Sequence, residues 1–175
     1  MNVYIKKLLS SFVGYVFYAM LGLLIAILIN QVLCFALTTE FPVVAVLTSS
    51  MQHDELTEEN HYGFLEKKFG YNRSYINSWP IANGFYIGDM PIVMGSKEYY
   101  VGDVVVYSIP NQKTPIIHRI IKINEDGTFM LKGDHNPSPL PFELNIKKEQ
   151  IHGKVIFVVP KLGWFKVLFS WIVGG

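Results

Sequence analysis

The feature that most constrains this fold is an uncharged apolar stretch close to the N-terminus. It runs from Phe12 to Ile29 and, after Asn30 and Gln31, continues as VLCFAL to Leu37. About 20 apolar residues in a helix cross the ~30 Å hydrocarbon core of a bilayer. A cleavable signal peptide is the alternative, but its apolar region is usually only about 7–15 residues long and ends at a small-residue site. The stretch therefore predicts a membrane-spanning anchor that is retained.

The charges on either side of this stretch predict its orientation. Lys6 and Lys7 precede it, whereas the first charged residues after it are acidic and begin with Glu40. Because lysines on a short flank favour the cytoplasmic side, we expect the N-terminus in the cytoplasm and the chain from about residue 40 outside. This predicts a single-pass protein of the cell membrane, or of the endoplasmic reticulum with its domain in the lumen if the source is a eukaryote.

Beyond the anchor, short apolar runs predict a mostly β domain. They are rich in Val, Ile, Phe and Tyr and are bounded by turn residues; they are 42–48, 103–109, 115–123, 128–133 and 153–159. The fourth follows the third as a hairpin closed through Asp126 and Gly127. Because no helical crossovers separate the runs, the pattern favours a small antiparallel sheet or barrel. The chain is expected to divide into an anchor at 1–39, this domain at 40–160 and an apolar segment at 161–175.

Residues 52–87 differ from the rest of the β domain. They are charged and aromatic, and 56–69 has the pattern of a short amphipathic helix. Segments of this length without strands are usually functional or disordered. The aromatic residues from Tyr62 to Trp79 argue against disorder. We expect a packed insertion near the mouth of the functional site.

The apolar C-terminal segment, residues 161–175, carries two lysines and two tryptophans. Lysine side chains that reach towards water and tryptophans at the boundary are typical of a segment lying in the lipid headgroup layer. The alternative is an ordinary helix that closes the β domain. From Leu162 to Val173 the segment is too short to span a membrane by itself.

Composition and spacing exclude several kinds of function. A net charge of +1 gives no field that would attract nucleic acid. The single cysteine, Cys34, lies in the apolar stretch, so neither an internal disulfide nor a thiolate metal cluster is expected. His53, Asp54 and Glu55 lie together, but without the spacing of an H-E-x-x-H site they predict only a solvated turn. Neither a metal nor an organic cofactor is predicted.

Two residues are candidates for nucleophilic chemistry. Ser50 follows the run 42–48, at the strand end where a hydroxyl can be presented, although Ser49 competes with it. His118 lies inside the Ile-rich run PIIHRII and is a base that could activate a serine. Taken alone, each residue is more often structural than catalytic, since a buried imidazole with a hydrogen-bond partner is common in cores.

Four motifs taken in order, VVAVLTSSM, GDVVVY, IIHRI and LKGDHNP, resemble the type I signal peptidase family. The closer resemblance is to its archaeal and endoplasmic-reticulum branch, which uses histidine where the bacterial branch uses lysine. The resemblance covers about residues 40–165 and the anchor. It implies that Ser50 is the nucleophile, that His118 is the general base and that Asp134 is a third catalytic residue. Thr48 and the Ser50 N–H are implied as oxyanion donors, and Met51 completes the motif that binds substrate.

Four departures from the family pattern bear on these assignments. Ser49 replaces a usual glycine, His53 stands where proline is common, and the insertion 52–87 delays the next Gly-Asp pair. Six residues beyond Asp134, where endoplasmic-reticulum relatives carry a second aspartate, this chain has Leu140. The third catalytic member therefore stays open between Asp134, Glu143 and a serine–histidine dyad. In a triad, disabling the orienting carboxylate costs about 10⁴ in rate.

The resemblance implies partners as well as chemistry. The substrates would be preproteins whose signal segments still lie in the lipid bilayer, close to the translocon. The first alternative is a catalytically inactive, membrane-tethered binding module for secretory precursors. The second is a structural envelope protein that docks partners through the insertion.

Overall fold

The computed structural model describes residues 3–110, 112, 114–164 and 166–168, with side chains from Phe12 onward. Within it the chain divides after Ala36 into two compact units. The first is a helix and the second contains the sheet.

The first unit is one long helix, α1, from Val3 to Ala36. Its part Phe12–Ala36 has 25 residues, a mean hydropathy of 2.5 and no residue buried within the protein. By length and composition it can cross a membrane. The predicted apolar helix at the N-terminus is thereby confirmed.

The second unit is built on one antiparallel sheet of five strands. The strands are β1 Met90–Met94, β2 Val104–Tyr107, β3 Ile116–Ile123, β4 Phe129–Lys132 and β5 Ile151–Val159. Their order across the sheet is β1-β5-β2-β3-β4. The prediction of a mostly β domain with an antiparallel sheet is confirmed. The hairpin is confirmed as well, because β3 pairs with β4 and Gly127 takes the positive φ of 81° that its turn requires.

The run 42–48 is extended, and within the described residues it forms a single isolated bridge, between Val43 and Ile92. It still donates hydrogen bonds to the chain beside it, from Val44 N to Pro91 O and from Val46 N to Asp89 O. Because Pro91 has no N–H to donate in return, a regular ladder cannot form here. The expected strand is therefore an irregular extended segment, and β1, which the sequence patterns did not predict, lies beside it.

The insertion 52–87 is folded and contains three short helices. They are a π-helical turn Glu58–Gly63, α2 Phe64–Phe69 and α3 Arg73–Asn77. The expected helix at 56–69 is thus divided into two types of turn, and α3 adds to it. Leu65, Ile76 and Trp79 pack with Ile121 of β3 in one buried cluster. The insertion is therefore part of the domain's core.

Both ends of the insertion lie at one place, because Phe85 N donates to Met51 O at 3.1 Å. Arg119 of β3, which is fully buried, donates to the carbonyls of Pro80 and Ile81 at 2.7 and 2.9 Å. The insertion is thus hydrogen-bonded to the sheet as well as packed against it.

The described part of the C-terminal segment begins at the end of β5. Gly163 N donates to Gly88 O at 2.8 Å and Lys161 N to Asp89 Oδ1 at 3.0 Å, so this turn is held against the chain before β1. Val167 is buried, whereas Trp164 is partly exposed. Residues 165 and 169–175, on which much of the expected headgroup-layer segment falls, lie outside the described residues.

Candidate active site

Ser50 lies where the extended segment 42–48 gives way to a tight turn. Gln52 N donates to Ser49 O at 2.9 Å, which closes that turn. The hydroxyl of Ser50 is half-buried and lies 3.3 Å from the Thr48 hydroxyl. The Ser50 carbonyl accepts a hydrogen bond of 2.9 Å from His135 N. The turn after β4 therefore holds the backbone of the predicted nucleophile.

His118 lies in β3, where its residue pairs with Val105 of the neighbouring strand β2. It is almost fully buried, with 3 % of its surface exposed. A buried imidazole needs hydrogen-bond partners because its polar atoms have lost water. Its Nδ1 is paired with the carboxylate of Glu143.

Gly133, directly after β4, brings Ser50 and His118 to a common point. A Cβ atom at this position would lie 2.6 Å from Ser50 O and 2.8 Å from His118 Nε2. These two atoms are therefore less than about 5.5 Å apart. The lack of a side chain at Gly133 is what allows the serine turn and the imidazole to approach each other.

Gly133→Ala is expected to lower kcat/KM for the peptide hydrolysis that the sequence resemblance implies by about 100-fold, because displacements of about 1 Å in catalytic geometry cost that much. The added methyl group must push the serine turn or the imidazole aside. The measurement is initial rate with purified full-length protein in detergent. Gly22→Ala is the matched control, since nothing lies within 4 Å of its Cβ position. Equal rates for both variants would contradict this account of Gly133.

Glu143 is fully buried in a 3₁₀ turn, Pro141–Asn145, and accepts three hydrogen bonds. Besides His118 Nδ1, the donors are Tyr107 OH at 2.6 Å and Leu140 N at 2.7 Å. Burial alone would raise the pKa of this carboxyl, but the hydrogen bonds from His118, Tyr107 and Leu140 hold the pKa below its ordinary value. Glu143 is therefore an ionised partner of the imidazole.

Asp134 is paired with Arg119, whereas the His118 Nδ1 is paired with Glu143. Its carboxylate receives Arg119 Nε at 2.9 Å and Nη2 at 2.7 Å, and His53 Nε2 lies 2.9 Å away. Burial opposes ionisation, yet the Arg119 guanidinium and the neighbouring histidines hold the pKa of Asp134 well below its usual range. The described contacts of Asp134 thus connect three parts of the domain: β3, the insertion and the turn after β4. The described hydrogen-bond partner of His118 Nδ1 is Glu143 and not Asp134.

Two further residues of the site carried no signal that the sequence patterns could detect. Lys132 is fully buried and its Nζ donates to the carbonyls of Gly133 and Asn136, both at 2.8 Å. Burial lowers the pKa of Lys132 to about 8. Tyr107 ends an ordinary apolar strand, and only its contact with Glu143 marks it as part of the site.

A cavity of about 530 Å³ opens beside Ser50 and His118. Its walls are the extended segment 43–48 and residues 115–118 at the start of β3, together with Phe85 and Leu140. The lining is mostly apolar. Thr48 and Ser50 are among the described residues that line the cavity, and Met51 is not. Met51 is fully buried, and its Sδ accepts a hydrogen bond from Asp134 N at 3.5 Å.

Comparison with known proteins gives a consistent set of relatives, although no protein-family profile matches the chain. It is similar to a protein named signal peptidase complex catalytic subunit SEC11 from Schizosaccharomyces pombe, 30 % identical over 146 residues, with 78 % of this chain and 71 % of the relative covered. SEC11 of Lachancea thermotolerans is 34 % identical over 98 residues, 49 % of this chain and 58 % of that protein. SEC11 of Plasmodium falciparum is 32 % identical over 98 residues, which cover 51 % of this chain and 52 % of that protein. The matches to these last two thus span little more than half of the relatives' length.

Proposed function

Because this chain belongs to the family of signal peptidase complex catalytic subunits, we propose that it is a serine endopeptidase that removes signal peptides from secretory preproteins. The observation that carries the proposal is the arrangement around His118. One ring nitrogen is paired with the buried Glu143, and the other lies less than about 5.5 Å from the Ser50 backbone carbonyl oxygen, with Gly133 beside both.

The contact with Glu143 supports a definite tautomer of His118. An ionised carboxylate only accepts hydrogen bonds, so Nδ1 carries a proton, and in the neutral imidazole it is then Nε2 that has the free lone pair. Nε2 is the nitrogen on the Ser50 side. A neutral imidazole in this form takes the Ser50 proton as the hydroxyl oxygen attacks the scissile carbonyl. Glu143 then stabilises the imidazolium that forms.

The rest of the reaction follows from the same geometry. The tetrahedral intermediate carries a negative oxygen, for which the Ser50 N–H and the Thr48 hydroxyl are the donors we propose. Each such preorganised donor contributes ~3 kcal/mol of barrier lowering. His118 returns its proton to the leaving amine, and water then releases the acyl-enzyme. Thr48 is suited to this role because its hydroxyl lies 3.3 Å from the Ser50 hydroxyl.

For Asp134 we propose a role in positioning. Its ion pair with Arg119 is buried on both sides, and it holds the turn that contains Gly133 against β3. Since the Gly133 turn meets both Ser50 and His118, this ion pair fixes the distance between nucleophile and base. Glu143 supplies the carboxylate that the family pattern has at position 140, where this chain has Leu140. An inactive binding module is not favoured for that reason.

The cavity supports a peptide substrate that enters in an extended conformation. Its mostly apolar walls suit the small side chains that precede a signal-peptide cleavage site. We propose that α1 anchors the protein in the membrane of the endoplasmic reticulum with Lys6 and Lys7 in the cytoplasm. Anchoring confines enzyme and substrate to one plane and raises their effective concentration. Partner subunits are proposed because the relatives are named as subunits of a complex, and closeness to the translocon is proposed from the family resemblance alone.

Cleavage of a preprotein by the purified full-length chain in detergent tests the proposal. We expect a single cut after a small residue at the end of the apolar signal segment, identified by mass spectrometry of the new N-terminus. His118→Ala is expected to remove this product, whereas His152→Ala, outside the site, is expected to keep it. A folded protein that binds the precursor, alone and with its partner subunits present, and never cleaves it would be a binding module instead.

A further inference from the structure

A cluster of two histidines and one aspartate lies next to the proposed catalytic residues. His53 and His61 come from the insertion, and Asp134 comes from the turn after β4. His53 Nε2 lies 2.9 Å from Asp134 Oδ2, and His61 Nδ1 lies 3.3 Å from Asp134 Oδ1. One nitrogen or oxygen from each residue lies within 4.8 Å of the other two. Such a spacing suits one small cation, because zinc binds nitrogen and carboxylate oxygen at ~2.0–2.2 Å.

The burial of His61 is the second observation that points to a ligand. The residue is 2 % exposed, and its Nδ1 has no hydrogen-bond partner among the described residues. This nitrogen lies 3.3 Å from Asp134 Oδ1, which is close enough for a hydrogen bond. The geometry between the two groups nevertheless does not meet the requirements of a hydrogen bond. Buried polar atoms are rarely left unpaired, because they lose water without a replacement. A metal ion between this nitrogen and the carboxylate would satisfy both.

Arg119 limits which ion the cluster can take. Its guanidinium is hydrogen-bonded to both oxygens of Asp134. Arg119 makes one hydrogen bond to Oδ1 and two to Oδ2, where its Nε also lies at 3.2 Å. A carboxylate has about four lone-pair positions, so Oδ1 keeps one position on the side of His61. The positive charge of Arg119 lowers the affinity for any cation. An ion that gains mainly from negative charge, such as Ca²⁺ or Mg²⁺, is therefore disfavoured relative to one that prefers imidazole nitrogen.

We propose that His53, His61 and Asp134 form a binding site for one transition-metal ion, best matched by Zn²⁺, which links the insertion 52–87 to the turn after β4. Two imidazole nitrogens and one carboxylate oxygen make three of the four positions of a tetrahedral zinc site. The side chain of His53 is 14 % exposed, so solvent reaches this side of the cluster, and we assign the fourth position to water. Gly84 supports this arrangement, because a Cβ there would lie 2.6 Å from the His53 ring.

The consequence of the site would be mechanical. Asp134 is paired with Arg119 on one side, and the metal would attach the insertion to the other. The turn that meets Ser50 and His118 would then be held from both directions. The ion takes no part in the proposed peptide hydrolysis.

Zinc binding by the untagged full-length protein in detergent tests this proposal. After removal of metals with a chelator, the protein is titrated with Zn²⁺ by calorimetry, and bound metal is counted after dialysis. We expect about one ion per chain. His53→Gln and His61→Gln should each lower the affinity by more than about 100-fold, since even changes outside the ligand set cost 10–100-fold. His152→Gln is the matched control, because His152 contacts Ser108 and lies outside the cluster.

Two further readouts separate a site from chance binding. Zinc should raise the thermal midpoint of the unchanged protein but not that of the His61 variant. An excess of Ca²⁺ or Mg²⁺ should not displace it. If the folded, unchanged protein binds no zinc, or if both histidine variants bind it as tightly as the His152 control, the proposal is overturned. Neither outcome depends on peptidase activity, so the proposed function is tested separately.

Discussion

Ser50→Ala is expected to lower the rate of preprotein cleavage by about 10⁶-fold, the loss typical when the nucleophile of a serine protease is removed. The change deletes one oxygen atom that is half-buried and whose described contact is with Thr48. The fold should therefore be unaffected. Binding of the precursor should persist, because the cavity walls at 43–48 and 115–118 do not change. The measurement is single-turnover cleavage, with binding followed in parallel.

Ser49→Ala is the matched control for this prediction. Its hydroxyl is adjacent in sequence, and its carbonyl, which closes the turn with Gln52 N, stays in place. We expect this variant to cleave at close to the original rate. If Ser49→Ala is inactive and Ser50→Ala is active, the nucleophile has been assigned to the wrong serine.

Glu143→Gln is expected to lower kcat by about 10⁴-fold, as in triads whose orienting carboxylate becomes an amide. One oxygen of Glu143 accepts from His118 and Tyr107, and the other accepts from Leu140 N. An amide replaces one of these acceptors by a donor. In one orientation the new NH₂ group faces Leu140 N, where two donors meet. In the other orientation the NH₂ group faces the imidazole and favours the tautomer of His118 that has its proton on Nε2. KM should change little, because Glu143 does not line the cavity.

Two variants separate this effect from a loss of structure. Glu149→Gln changes an exposed glutamate in the next 3₁₀ turn and should leave kcat unchanged. Tyr107→Phe removes one donor but keeps the His118–Glu143 pair, so its loss of kcat should be much smaller. If folded Glu143→Gln keeps kcat within about tenfold, then Glu143 does not orient the base, and Asp134 or a dyad becomes the better assignment.

The strands could be predicted from the sequence where they are rich in β-branched residues. This holds for the runs at 103–109, 115–123, 128–133 and 153–159, each of which contains or overlaps a strand. β1 could not, because MPIVM contains a proline and two methionines and has little strand character. The order of the strands was also beyond prediction, since β1 pairs with β5, the strand that is farthest from it in the sequence. Such pairing depends on tertiary packing and leaves no local pattern.

The candidate site divides in a similar way. Ser50 and His118 stand in motifs and could be named from the sequence. Glu143 could be named only as one of several alternatives, because acidic residues are usually exposed and nothing in PFELN indicates burial. Lys132 and the cluster of His53 and His61 with Asp134 depend on how the insertion packs. No motif records that packing.

The hydrogen bond between Phe85 N and Met51 O has a consequence for how this chain can vary. The two ends of the segment between these residues lie next to each other. The distance that the segment has to bridge is therefore the same however many residues the segment contains. Residues added to an exposed turn of this segment leave the serine turn in position, whereas loss of the whole segment would uncover Ile121 and Arg119 of β3. An exposed turn of the segment, rather than its buried junction at Met51 and Phe85, is thus the point where a new module can be grafted close to the substrate.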